Sequence, residues 1–296
     1  MNRTRPSHTA LKIARMTLFV AEHPVLGPLV PAQMGATNER LLQAIGAYKP
    51  WHRRVYRSRW FAALVRVSDR YVPGMMAHMA LRKRFVDDEV VSAIEGGARQ
   101  VVVLGAGLDG LAARQAALNP SVSFIELDHP VTQPAKAEAL EGAGLWAENL
   151  TLAPADLMAA PLREALGAAP AWDDGAQTVF VAEGLLMYLS PEVVRSVLQS
   201  AREASGPGSR LVLTWVPRDA RGQDQLGAVI RASLAAAGEA LRWRPGHDEL
   251  VDTLEATGWR PADAQRTDLH ARYLAGTEHA AAVVSTAERV CVAERR

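Results

Sequence analysis

This sequence has little cysteine, no long apolar run and no internal repeat. Cys291 is the only cysteine in 296 residues. A disulfide within the chain and a cysteine-built metal cluster are therefore excluded, and no metal site is expected. A lone thiol fits a reducing compartment, so we expect a cytoplasmic protein. The first residues have no uninterrupted apolar core of the kind a secretory signal needs. The most apolar early stretch, "LKIARMTLFVAEHPVLGPLV", contains Lys12, Arg15, Glu22 and two prolines, so no membrane span is expected. Two functional signatures are also missing. No Tyr-x-x-x-Lys spacing follows the fifth predicted strand, as many hydride-transfer enzymes would require. The D/N-P-P-Y/F signature of nitrogen methylation is absent as well.

Charge is nearly balanced in total and uneven in distribution. The net charge is +1. Residues 1–84 hold 15 Lys/Arg against three acids (Glu22, Glu39 and Asp69), or +12, and the remainder carries −11. Core-type residues interleave the basic segment and no nucleic-acid motif accompanies it, so nucleic acid is not an expected partner. Two readings remain: a basic helical layer lying on an acidic domain, or a basic lid that draws an anionic small molecule toward a site. A hydrophobic share of 49% and a charged share of 22% are those of an ordinary globular protein.

Residues 1–96 read as helical, with Pro50 as a break and Gly96-Gly97 as the stop. In the first helix Leu11, Ala14, Leu18 and Ala21 share a face. From Ala98 onward strands and helices alternate. Predicted strands are Gln100–Leu104, Val122–Leu127, Leu150–Ala153, Thr178–Ala182, a fifth in "GSRLVLTWV", a sixth after "HDELVDTLEATGW" and a last one in "AERVCVAER". Ser190 caps a helix that has Pro191 at its first position. Residues 217–246 break the alternation and read as an insertion. The expectation is an α/β fold: a doubly wound, seven-stranded Rossmann-like sheet with an N-terminal helical extension (1–96) as substrate lid and a cofactor domain (97–296).

The first strand runs into "VVVLGAGLDG". Gly105, Gly107 and Gly110 make a G-x-G-x-x-G turn between strand and helix. That is the dinucleotide-binding fingerprint, in its required context. The glycines let the backbone approach a ligand closely. Asp128 lies about twenty residues on, where a carboxylate would hold a ribose diol. NAD(P), FAD and S-adenosylmethionine all offer such a diol, so the loop alone leaves a nicotinamide oxidoreductase as the alternative. Three consecutive strand ends carry acids: Asp128, Asp156 and Glu183. A hydride-transfer enzyme would not need this set. For S-adenosylmethionine the acids fall into place, with Asp128 for the ribose, Asp156 for the adenine amino group and Glu183 near the cationic methionine end. Arg82 and Arg84 are the candidate cations for the methionine carboxylate.

Taken together, "LRKRFVDDEV", "VVVLGAGLDG", "FIELDHP", "APADL" and "AEGLLMYL" resemble the leucine carboxyl methyltransferase-like group of S-adenosylmethionine-dependent O-methyltransferases, which includes bacterial enzymes of the polyketide type. The resemblance covers roughly residues 70–216. It implies Arg82 on the cofactor carboxylate, Gly105 and Gly107 along the methionine part, Asp128 on the ribose, Asp156 with Leu157 on adenine, and Glu183 facing the amino group. Ala106, Asp109, Glu126 and Gly184 complete the candidate cofactor contacts, and Glu183 with Tyr188 are the candidate catalytic residues. His78 and His247 are further candidate bases. The group more often has Thr or Ser where this chain has Gly110. The expected acceptor is an anionic small molecule with an acidic oxygen, a carboxylate or an acidic hydroxyl, and S-adenosylhomocysteine is the expected product.

Overall fold

The computed structural model describes residues 8–56, 58–60, 73–219, 221–223, 226, 240–262 and 264–296. The chain opens with helices α1 (His8–Glu22), α2 (Met34–Ala44) and α3 (Pro50–Tyr56), followed by the long α4 (Met75–Glu95). The alternating part then runs β1 (Gln100–Leu104), α5 (Leu111–Leu118), β2 (Ser123–Asp128), α6 (Gln133–Gly142), β3 (Leu150–Pro154), α7 (Leu162–Gly167), β4 (Thr178–Ala182), α8 (Pro191–Ala204) and β5 (Arg210–Trp215). It closes with α9 (His247–Ala256), β6 (Trp259–Pro261), the short α10 (Ala264–Thr267) and α11 (Leu269–Tyr273), and β7 (Arg289–Arg295).

The seven strands lie in the order β3-β2-β1-β4-β5-β7-β6. The first five strands are mutually parallel, and β7 runs antiparallel to both β5 and β6. Strand sequences such as Val101–Leu104 are apolar at every position because both sheet faces are covered. Alternate residues divide between two cores. Val101, Val103, Phe124, Val179 and Val181 pack under α4, α5 and α6. Val102, Leu104, Ile125, Phe180 and Leu213 pack under α7, α8 and α9. In a sheet of this order the strand sequence reverses direction between β1 and β4, and the crevice outside their carboxyl ends is where ligands bind.

The expected strands match these positions closely; β2 begins one residue later, at Ser123. Ser190 Oγ accepts the Val193 N–H at 3.4 Å, with Pro191 opening α8. The antiparallel seventh strand was not foreseen, since an isolated apolar strand carries no mark of its direction. Beyond the three residues of β6 the chain turns into short helices. Much of the 217–246 insertion, including its expected helix, lies outside the described residues. In α1, Ala14 and Leu18 are buried as expected, but Thr17, Phe19 and Val20 are buried too. The buried face is wider than one stripe because α1 packs against both α2 and α4.

Gly110 has a tertiary explanation. A Cβ added there would lie 2.6 Å from Thr37 Cγ2 of α2 and 3.5 Å from Leu41 Cδ1. The N-terminus of α5 is the surface on which α2 rests, so the glycine that completes the dinucleotide fingerprint serves helix packing. Gly110→Ala is therefore expected to destabilise the fold by roughly 1–3 kcal/mol, the usual cost of overpacking. Adding Thr37→Ala to the same chain should restore most of that loss, because it removes the opposing methyl. Urea denaturation of the two single variants and the double variant measures this coupling.

Candidate functional site

A cavity of about 600 Å³ opens at the carboxyl ends of β1, β2 and β4. Its floor is the loop after β1, where Gly105 and Gly107 take left-handed φ angles of 65° and 51°. Side chains are strained in that region, so the turn requires glycine. A Cβ on Gly105 would stand 2.8 Å from Leu185 Cδ1 and narrow the cradle.

Asp128 closes β2 beside this loop. Its Oδ2 accepts the Gly107 N–H at 2.5 Å and its Oδ1 accepts the His129 N–H at 2.6 Å. Each carboxylate oxygen has lone-pair capacity left for a second donor. Burial raises the Asp128 pKa, against the pull of these two backbone N–H groups. Beneath the loop, Glu126 (1% exposed) pairs with fully buried Lys136 at 3.0 Å. Lys136 Nζ also donates to the carbonyls of Gly107, at 3.4 Å, and Asp109. Glu126, expected at the cofactor, is thus sealed under the floor and does not line the cavity. Its carboxylate anchors the lysine that holds the loop.

The far wall is an ion cluster that joins α4 to the sheet. Arg82 Nε lies 2.9 Å from Glu183 Oε1, and its Nη1 donates to Glu288 Oε2. Lys83 Nζ lies 2.8 Å from the same Glu183 oxygen and 2.5 Å from Asp109 Oδ2. Asp109 Oδ1 in turn accepts the Leu111 N–H at 2.7 Å and steadies the start of α5. Burial disfavours the charged forms of Arg82, Lys83, Asp109 and Glu288, and the pairing overcomes it. Glu288 and Glu183 hold the Arg82 pKa above its ordinary value. Lys83 holds Asp109 well below the usual carboxylate range, and Arg82 does the same for Glu288.

Helix geometry gives the two arginines different surroundings. Arg82 is 6% exposed and lines the cavity. Arg84 turns outward, 41% exposed, to pair with Asp88 one turn on at 3.1 Å. Gly105, Ala106, Gly107, Asp109, Asp128, Glu183, Gly184 and Tyr188 also line the cavity. Gly184 is pinned by a 2.8 Å bond from its N–H to Thr214 Oγ1. Asp156 and Leu157 do not line it. Asp156 stands at the rim, accepting the Met158 N–H at 2.9 Å and lying 3.7 Å from His129, which does line the cavity. Leu157 packs against the second core. His78 is buried behind Glu288, 3.7 Å away, and His247 is exposed at the start of α9.

Lys83 and Glu288 were not anticipated. Lys83 is adjacent to Arg82 in "LRKRF", but residues one apart on a helix point about 100° apart, and only the surroundings of α4 bury both. Glu288 directly precedes β7, and the antiparallel pairing of that strand returns it to the carboxyl ends of β4 and β5. The remaining wall is apolar, with Ile13, Ala14, Val131, Leu185 and Met187. Three arginines of the N-terminal helices point elsewhere. Arg15 donates to the Ala47 carbonyl, Arg40 to those of Ala143 and Gly144, and Arg53 pairs with Glu22. Among the described basic residues of 1–84, only Arg82 and Lys83 are among those lining the cavity.

This polar set fits S-adenosylmethionine. Carboxylates at Glu183, Glu288 and Asp109 suit its cationic end, buried cations at Arg82 and Lys83 suit its carboxylate, and Asp128 beside the glycine loop suits its ribose. Among the described residues no cluster of three His, Cys, Asp or Glu could hold a metal ion, and no helix is long and apolar enough to cross a membrane.

The family model described as leucine carboxyl methyltransferase matches residues 24–202. A protein of Mycobacterium avium (strain 104), provisionally named an S-adenosyl-L-methionine-dependent methyltransferase, is 33% identical over 216 residues, covering 68% of this chain and 67% of that protein. A similarly named protein of Mycobacterium sp. (strain JLS) is 33% identical over 206 residues, covering 66% and 65%. The chain spans about two thirds of the length of these relatives. Among solved structures, a provisionally assigned methyltransferase of Thermobifida fusca YX superposes with a TM-score of 0.59 at 18% identity, covering 92% of this chain and 98% of that one. A DUF574 family protein of Streptomyces avermitilis MA-4680 gives 0.60 at 17%, covering 87% and 96%. These two structures share the fold.

The ion cluster has a measurable pH signature. Glu288 has a depressed folded pKa, so its pairing stabilises the fold above the ordinary carboxylate value of 4.5. That stability is lost as pH falls toward its folded value. Denaturation free energies measured between pH 7 and pH 3 should therefore fall less steeply in Glu288→Gln than in the unaltered chain. Identical slopes would exclude this contribution.

Proposed function

Since the chain belongs to the leucine carboxyl methyltransferase family of S-adenosylmethionine-dependent methyltransferases, we propose that it methylates an oxygen atom of a small, largely apolar acceptor. The observation that carries this reading is the junction of two unlike surfaces in one cavity. One wall is the ion cluster around Glu183, and the other is an apolar wall of Ile13, Ala14, Leu185 and Met187. The nicotinamide alternative has no support from the family match or from the relatives.

S-adenosylmethionine supplies a methyl group on a positively charged sulfur, so the protein's task is alignment and exclusion of water. Arg82 and Lys83 would receive the methionine carboxylate. Both are already held in place by Glu183 and by Glu288 or Asp109, so little ordering is required on binding. Glu183 would face the amino group, and Asp128 the ribose hydroxyls. His129 and Asp156 stand at the rim where the base would lie. Helices α1 and α2 would cover the acceptor, which gives residues 1–96 the role of a substrate lid. Tyr188, on the wall next to Met187, would orient the acceptor oxygen.

The cavity wall bears on the charge of the acceptor. Asp109, Asp128, Glu183 and Glu288 outnumber Arg82 and Lys83. Among the described basic residues of 1–84, only Arg82 and Lys83 line the cavity, so those residues lend no support to steering of an anion. The wall favours an acceptor that arrives neutral and carries an acidic hydroxyl, over one that arrives as a carboxylate. Local negative charge would repel an anion.

Two measurements test this proposal. Titration calorimetry should show S-adenosylmethionine or S-adenosylhomocysteine binding and no comparable NAD(H) binding. Asp128→Ala should weaken cofactor binding by about 1–3 kcal/mol through loss of hydrogen bonds to the ribose. Arg82→Lys should also weaken it, because an ammonium cannot form two parallel bonds to a carboxylate. In a screen of small phenols and acids, turnover of the best acceptor should rise about tenfold per pH unit below the hydroxyl's own pKa. A rate that is flat from pH 6 to pH 8 would indicate a carboxylate acceptor, and a methylated nitrogen in the product would overturn the proposal.

A further inference from the structure

At the opposite end of the sheet from the cavity, three arginines converge on one buried carboxylate. Glu89 of α4 is 1% exposed. Its Oε2 lies 3.0 Å from Arg210 Nη1 and 2.6 Å from Arg266 Nη2, and its Oε1 lies 2.7 Å from Arg272 Nη1. Arg210 is the first residue of β5, so the cluster belongs to the amino ends of the strands. It borders an open concavity of about 470 Å³ lined by Glu89, Ser92, Arg266, Ala271 and Arg272. Among the described residues, one carboxylate against three guanidinium groups leaves a local charge of +2. The next pair out, Arg260 with Glu294 at 3.2 Å, is neutral as a unit, although Glu294 also lies 3.5 Å from Arg266.

We infer that this concavity is an anion-binding site for a phosphate group, distinct from the cofactor cavity. Three observations support it. A buried Glu89 needs one cation for charge balance, and three are present. Arg272 is preorganised: its guanidinium carbon lies 4.9 Å from the Phe85 ring centroid and 5.2 Å from that of Tyr273, which fixes the plane of the fork. Its Nη1 donates to Glu89 and to the Arg266 carbonyl, while its Nε and Nη2 protons have no acceptor among the described residues. Those two donors are parallel on a side chain that is 25% exposed, and a parallel pair is the arrangement that takes a phosphate bidentately. Finally, Arg210 is held below its ordinary pKa by burial, and the charges of Arg266 and Arg272 add to that effect against the pull of Glu89. A bound anion would relieve the surplus.

The test uses full-length protein saturated with S-adenosylhomocysteine, so that the cofactor cavity is occupied. Inorganic phosphate, methyl phosphate and chloride are titrated at matched ionic strength and followed by calorimetry and thermal shift. Saturable binding of phosphate but not chloride is expected. Equal binding of methyl phosphate would assign the site to phosphate monoesters, and preference for the inorganic ion would assign it to free phosphate. Arg272→Gln should lower phosphate affinity at least tenfold. Because that change also strips a partner from Glu89, a second variant, Ser92→Glu, adds a carboxylate at the exposed lip and removes no contact to Glu89. It should abolish phosphate binding while leaving S-adenosylhomocysteine affinity unchanged. Absence of saturable phosphate binding to the unaltered protein, or unchanged binding in Ser92→Glu, would overturn the inference.

Discussion

The geometry of the cofactor cavity depends on the buried ion cluster between α4 and the sheet. Arg82 and Lys83 are drawn into the interior by three carboxylates that come from three places in the chain. Asp109 belongs to the loop after β1, Glu183 follows β4, and Glu288 precedes β7. Burying any one of these charges alone would be expensive, and buried ions persist only when paired and hydrogen-bonded. The cluster therefore constrains where α4 lies across the ends of the sheet. It also places cations and carboxylates side by side at the point where a zwitterionic methionine end would be received. One set of contacts serves both fold and site.

The glycine loop depends on a second buried pair. Lys136 reaches up from α6 to the loop carbonyls and is neutralised by Glu126 from β2. The loop is thus fixed from below by a cation and from the side by Asp128. It can present its backbone to a ligand without a side chain of its own. This arrangement explains why the acids of β2 alternate in role. Glu126 and Asp128 are two residues apart and point to the same face, yet Glu126 lies two residues deeper in β2 and is covered by α6.

The N-terminal segment shows that net charge alone does not say where the charges point. Its +12 admits two readings, a basic layer on an acidic domain and a basic lid that draws an anion. Folding directs Arg15 and Arg40 toward backbone carbonyls, Arg53 toward Glu22 and Arg84 toward Asp88, and gives the cavity an apolar side of α1. Charge on a helix is a property of its faces, and only packing decides which face is turned inward.

The sequence by itself determined the strands, their alternation with helices, the glycine turn and the acids at three consecutive strand ends. Those features are local. Apolar runs, caps and turn residues act over a few positions, and residues following a parallel strand must emerge at its carboxyl end. Tertiary structure alone decided the rest. It turned Arg82 into the cavity and Arg84 outward, brought Lys83 and Glu288 to the wall, withdrew Glu126 from it and left Asp156 at the rim. It also gave Gly110 its purpose, as the contact point for Thr37 of α2. Each of these outcomes depends on the direction of one side chain relative to an element distant in the chain. Sequence periodicity carries no such information, because the antiparallel return of β7 and the seat of α4 arise only when the whole sheet is assembled.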